Sequence, residues 1–184
     1  MKGFVRKDRL FSLCGLNCGL CPMQLDGYCP GCGGGEGNQS CKIARCSMEH
    51  DCVQYCFACS EYPCGKLNLD TPYDSFITHR NQRKDLARAK EIGVEAYCAE
   101  QREKVEWLQA LLKDYNDGRR KTFFCTAMNL LPLPAIRRIM ERLEAEKTAE
   151  LERKERSARA VQLFLEAAQQ EQIEIRLRRK PKTR

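Results

Sequence analysis

Eleven of the thirteen cysteines lie between Cys14 and Cys64, in a stretch rich in glycine and proline with almost no apolar periodicity. Such a segment cannot hold a shape by burying hydrocarbon, so cross-links must do it: disulfides, zinc or iron–sulfur. The cysteine total is odd. The first residues, MKGFVRKDRLFSLCG, carry basic charge but neither the apolar run nor the small-residue cleavage site of an export signal. Both observations argue against a disulfide framework. They lead to the expectation of a cytoplasmic chain, whose thiols persist as thiols or serve as metal ligands.

The spacing narrows the choice further. Cys18/Cys21, Cys29/Cys32 and Cys56/Cys59 are three CxxC pairs. Two residues between thiolates let a tight turn aim both sulfurs at one cation, and two such turns build a four-cysteine zinc site with Zn–S near ~2.3 Å. Cys14, Cys41, Cys46, Cys52 and Cys64 lie between and around the pairs, enough for two zinc ions. The most local grouping joins Cys18, Cys21, Cys29 and Cys32, then Cys41, Cys46, Cys56 and Cys59, with Cys14 and Cys64 able to replace members of either set. With so many thiols available, His50 reads as an exposed loop residue and His79 as a helix-surface residue. Cys98 and Cys125 read as buried, inert small hydrophobes.

Iron is the competing cation. Cys14, Cys18 and Cys21 spell CxxxCxxC, the spacing of radical enzymes that use S-adenosylmethionine, but those need a large βα barrel and this chain continues with helices. A simpler iron–sulfur protein for electron transfer or redox sensing remains open, helped by Cys21-Pro22 and Cys29-Pro30.

Two segments follow from composition: residues 1–66, cysteine-rich, and residues 67–184, helical. Gly33, Gly34, Gly35 and the rest of GGGEG read as a flexible connection, not a phosphate loop. After a linker from Lys66 to Asp70, Thr71 as cap, Pro72 in the first turn and Asp74 beside it predict a helix running to about Ile92 and ending at Gly93. Cys98, Gln101, Val105, Leu108, Leu112 and Tyr115 mark the next helix, with Trp107 and Leu111 widening its stripe. A short helix over Phe123 to Leu131 stops at Pro132. Another opens at Pro134, with Ile136, Ile139, Met140 and Leu143 on one face. Mixed charge over 144–160 predicts an exposed helix. Apolar spacing returns at Val161, Phe164, Leu165 and Ala168, and alternating Ile173, Ile175 and Leu177 predict a short C-terminal strand. The fold class expected is mainly α.

Net charge is +7, and Arg176 to Arg184 contribute six positive charges without a negative one. Such a tail could meet nucleic acid or an acidic partner, or simply keep the end solvated. Gly118-Arg-Arg-Lys121 with Arg137 and Arg138 could form a second basic patch. No stretch approaches the ~20 apolar residues needed to span a membrane. No serine–histidine pairing or phosphate loop marks a catalytic residue.

The run CGLNCGLCP…CPGC…CKIARC…YCFACSEYPC, followed by EIGVEAYCAEQREK, resembles the bacterial and archaeal family called domain of unknown function 3795 (DUF3795). The resemblance covers roughly residues 10–110, and YNDGRRKTFFCTAMNLLP is similar to a segment of its longer members. It assigns Cys14, Cys18, Cys21, Cys29, Cys32, Cys41, Cys46, Cys56, Cys59 and Cys64 as metal ligands, leaving Cys52 out. That family is described as metal-binding on account of its cysteines, which implies neither substrate nor partner. The expectation is a zinc-stabilised binding or adaptor module, its partner a protein or a nucleic acid, with no assigned catalytic residue. All-thiolate sites leave no open coordination position for hydrolysis.

Overall fold

The computed structural model describes residues 2–35 and 40–181. Among them the chain forms seven α-helices and no strand, so it is mainly α, as its composition implies. The helices are α1 (Pro22–Leu25), α2 (Lys42–Glu49), α3 (Gln82–Ile92), α4 (Val94–Asp114), α5 (Lys121–Leu130), α6 (Leu133–Ala145) and α7 (Arg153–Gln170). One antiparallel bridge, Val5 to Gly34, is the only ladder contact among the described residues.

Helix α4 organises the molecule. Tyr97, Gln101, Lys104, Leu108 and Leu111 repeat at helical spacing and are all buried. Its C-terminal half enters the larger core with Phe124, Met128, Ile136, Ile139, Leu143, Leu163 and Phe164. Rings 123, 124 and 164 meet edge to face, with centroids 5.6 to 6.3 Å apart. At roughly 2 kcal/mol for each large apolar side chain removed from water, this cluster is the main hydrocarbon reserve of the fold. The N-terminal half of α4, with α3, meets the cysteine-rich segment: Phe11, Tyr55 and Leu67 pack with Leu86, Ala89 and Tyr97. Leu20, between two cysteines, inserts into the larger core. Each large core thus draws side chains from both segments.

Four local expectations are corrected. The helix expected from Thr71 begins only at Gln82, although it does end at Gly93, whose φ of 86° suits glycine. Asp74, read as a first-turn carboxylate, instead accepts the N–H groups of His79 and Arg178, both at 2.8 Å, and that holds 71–81 in an irregular loop. The charged stretch 144–160 is not one helix. Lys147 is left-handed (φ 49°), and buried Thr148 donates to the Leu143 carbonyl at 2.7 Å, which closes α6 before α7 starts. The C-terminal strand is absent. Ile173 and Ile175 lean on the large core, while the Arg178 amide and guanidinium bind the Asp74 carboxylate, so the segment lies down as a strap without a β partner. Finally, the buried stripe of α4 is centred on Tyr97, Lys104 and Leu111; Val105, Leu112 and Tyr115 are only half-buried.

Candidate metal centre

Local turns present the cysteines. Ser12 accepts the Leu16 N–H on its Oγ at 2.7 Å, closing the turn that carries Cys14. Gly15 sits there at φ 94°, where a Cβ would come within 2.5 Å of Leu86 Cγ, so that position requires glycine both conformationally and sterically. Cys18 opens a single 3₁₀ turn that ends at Cys21. Cys32 precedes Gly33, whose φ is 80° and whose Cα faces Arg6 so closely that a Cβ would lie 2.6 Å from Arg6 Cγ. Cys41 precedes α2, and Cys46 projects from it. Cys56 and Cys59 bracket another 3₁₀ turn, tied to the first segment by the Cys56 N–H to the Leu13 carbonyl at 2.9 Å.

Tertiary folding sorts these thiols into two groups that differ from the local grouping. Cys14, Cys18, Cys29, Cys32 and Cys41 line one cavity of about 260 Å³. Cys46, Cys56, Cys59 and Cys64 line a slot of about 30 Å³ beside it, with His50 and Lys66. Burial pushes the Cys14 and Cys18 thiols up, and Cys32 raises both further. Burial likewise pushes Cys56 up to about 12, reinforced by Cys14, Cys64, Cys46 and Cys59. Cys21 stands with Cys29 and lines neither cavity.

Polar hydrogens are aimed at the sulfurs. Cys14 receives the Leu16 N–H and contacts Ser12 Oγ at 3.3 Å. The Cys32 N–H serves Cys18, and the Leu13 N–H and the Arg6 guanidinium serve Cys32. Cys21 receives the Met23 and Gln24 N–H groups. Lys66 Nζ approaches Cys46 at 3.6 Å. A neutral thiol is a weak acceptor, so such a shell favours the thiolate, while burial opposes it. A cation resolves that opposition. Among the described residues no group of three or more His, Cys, Asp or Glu side chains is placed so that it could hold a metal ion. The fit therefore rests on the donor set: clustered sulfurs in two neighbouring cavities, with N–H partners at Cys14, Cys18 and Cys32 in the first and the Lys66 ammonium near Cys46 in the second.

Arg6 was not singled out by the sequence. Its guanidinium is buried, donates to the Gln54 carbonyl at 2.7 and 3.0 Å and to the Phe11 carbonyl at 2.8 Å, and stacks 4.6 Å over Tyr55. One cation thus joins residues 6, 11, 32 and 54 where hydrocarbon is scarce. Its sequence trace is slight, a basic residue inside FVRKD. His50, expected in an exposed loop, is half-buried at the end of α2. Its Nδ1 lies 2.8 Å from the Cys46 carbonyl and its Nε2 3.3 Å from Glu61, and these two contacts raise its pKa. His79 precedes α3 rather than riding on a helix, and Ser75 Oγ meets its Nε2 at 3.0 Å. Cys52 is exposed beside the left-handed Asp51. Cys98 and Cys125 are buried in the two cores, where desolvation pushes each up to about 12.

Several residues of the basic patches already have carboxylate partners. Arg120 pairs with Asp117, Lys121 with Asp26, Arg137 with Glu103 and Arg138 with Glu171. In the tail, Arg176 pairs with Glu174 and Arg178 with Asp74; Lys182 and Arg184 lie outside the described residues, as do the last two residues of GGGEG. No helix among the described residues is long and apolar enough to cross a membrane. No protein-family model, curated protein or solved structure matches the chain.

Proposed function

We propose that residues 14–64 form a two-zinc thiolate module that serves as a binding or adaptor element on a helical base; the resemblance to DUF3795 proteins agrees with metal binding by the cysteines. Cys14, Cys18, Cys32 and Cys41 would hold one ion, and Cys46, Cys56, Cys59 and Cys64 the other. Cys29 lines the first cavity as well, and Cys21 lies beside it. The observation that carries this reading is the convergence of nine thiols from separated turns and helix α2 into two neighbouring cavities, with N–H groups directed at Cys18 and Cys32. Bound zinc supplies cross-linking there. In peptide sites its apparent binding energy, roughly 10–16 kcal/mol, is also folding energy.

Elemental analysis of protein purified without oxygen, with a visible spectrum alongside, tests the reading. About two zinc ions per chain and no colour are expected. A brown protein with iron and acid-labile sulfide would replace it by the electron-transfer or redox-sensing alternative. That alternative draws on Cys21, which acts on Cys18, and on Cys29, which acts on Cys21 and lines the first cavity. In a nucleic-acid role the tail would act with its other basic residues, because Arg176 and Arg178 already have carboxylate partners.

A further inference from the structure

A second cleft opens between α3, α4 and the α5–α6 turn, remote from the thiol cavities in composition and independent of the metal reading. Its volume is about 420 Å³, within the range of small-molecule sites. Lys104 lines it although only 7% exposed, and its Nζ donates to the Met128 and Leu131 carbonyls, each at 3.0 Å. Those contacts satisfy orphan carbonyls at the end of α5, and explain two of the three ammonium protons. They do not neutralise the charge. Among the described residues no carboxylate stands within 4.0 Å of Lys104 Nζ, although thirteen ion pairs form elsewhere. The carboxylate that acts most strongly on it, Asp85, is engaged by Asn17 Nδ2 at 2.9 Å.

Gln101 lies one turn before Lys104 and also lines the cleft. It is 3% exposed, and its Oε1 is buried without a hydrogen-bond partner. An unsatisfied buried acceptor costs about 1–3 kcal/mol, so this atom calls for a donor that the protein does not provide. The lining holds four cations, Lys84, Arg88, Lys104 and Arg137, against two acids, Asp85 and Glu100. Arg88 is bonded to Glu100, and Arg137 reaches out of the cleft to Glu103, so Lys84 and Lys104 face Asp85 alone, an excess of one positive charge. One wall is hydrocarbon, the run Leu130 to Pro134.

We propose that this cleft binds a small organic acid bearing a hydroxyl or an amine: carboxylate toward Lys104 and Lys84, the hydroxyl or amine donating to Gln101 Oε1, and the carbon skeleton along the Leu130–Pro134 wall. The apolar wall favours an organic acid over inorganic phosphate. Burial of the cluster agrees with an unmet need for an anion. It lowers Lys104 to about 8 and raises Asp85 to about 6, each effect moderated by the other group, so a bound carboxylate should raise the Lys104 pKa.

The test is titration of the full chain as purified with L-malate, L-aspartate, succinate and inorganic phosphate, read by calorimetry and by NMR shifts of the Gln101 side-chain amide. Malate or aspartate should bind saturably, and succinate, which lacks the donor, about tenfold more weakly, the factor that ~1.4 kcal/mol represents. Lys104→Met should weaken malate at least about tenfold. Because that variant also uncaps α5, Lys84→Met, at an exposed site, should show a smaller loss in the same direction. Gln101→Leu should leave the thermal midpoint unchanged or raised, since it removes the orphan acceptor, and should erase the malate–succinate difference. No saturable binding of any organic acid, tighter binding of phosphate than of all of them, or malate affinity unchanged in both lysine variants would overturn the proposal.

Discussion

The two segments reach order by opposite routes. Residues 94–170 bury rings and branched chains in a continuous hydrocarbon core, and their local structure follows from 3.6-residue spacing. Residues 2–64 bury little: Phe4, Phe11, Leu13, Leu20, Ala44 and Tyr55 are their core residues, and Leu20 serves the helical core. Directional bonds replace area there, through the Arg6 guanidinium, the Ser12 turn and N–H groups directed at sulfur. Area-based order degrades gradually as methylenes are removed. Bond-based order is lost when a single partner leaves.

The largest expected effect follows from that contrast. Removing metal with a chelator should abolish amide-exchange protection across residues 14–64, while α5–α7 keep theirs, because only the first region lacks a hydrocarbon reserve. Unchanged protection in 14–64 would break the comparison. Phe164→Ala, at a fully buried position, should cost about 3–5 kcal/mol in denaturant unfolding yet leave metal content intact. Arg6→Met should cost about 2–4 kcal/mol, and its effect should appear as faster exchange around residues 11, 32 and 54 rather than in α5–α7.

Asp74→Asn should cost about 2 kcal/mol and make the strap after residue 173 more susceptible to limited proteolysis. Acid should act the same way. Burial alone would raise Asp74, but the Arg178 and His79 hydrogen bonds outweigh it, and the carboxyl ends below its usual value. A depressed native pKa means the clamp contributes fully above the ordinary carboxylate value of 3.8 and is lost as pH falls below it through the native pKa. Proteolysis of the strap that rises only on alkalinisation would contradict this. The smallest effect belongs to Cys52→Ser, which is exposed and outside both thiol groups: metal content and thermal midpoint should both stay put. A lost ion would redraw the second group.

The helices were legible where periodicity or punctuation was strong. Gly93 separates α3 from α4, and Pro132 separates α5 from α6. The start at Thr71 was misleading, because cap and proline signals are local while the carboxylate of Asp74 is claimed by Arg178, 104 residues later. The alternation of Ile173, Ile175 and Leu177 misled for a related reason: period-two spacing describes a strand only if another edge is available. Gln101 stood in the expected stripe, but nothing local indicated that its acceptor would be orphaned or that Lys104 would be buried beside it.

By itself the sequence narrowed the proposed ligand chemistry to thiolates, since thiols at CxxC spacing in a segment without apolar periodicity leave few ways to become ordered. It also determined the helical class, through spacing each helix carries within itself. Only the tertiary structure decided which thiols meet, set Arg6 among them, and left Lys104 and Gln101 facing a cleft. The physical reason is range. Turn chemistry and periodicity act over a few residues, whereas the Arg6–Gln54 and Asn17–Asp85 bonds exist only after distant segments have packed.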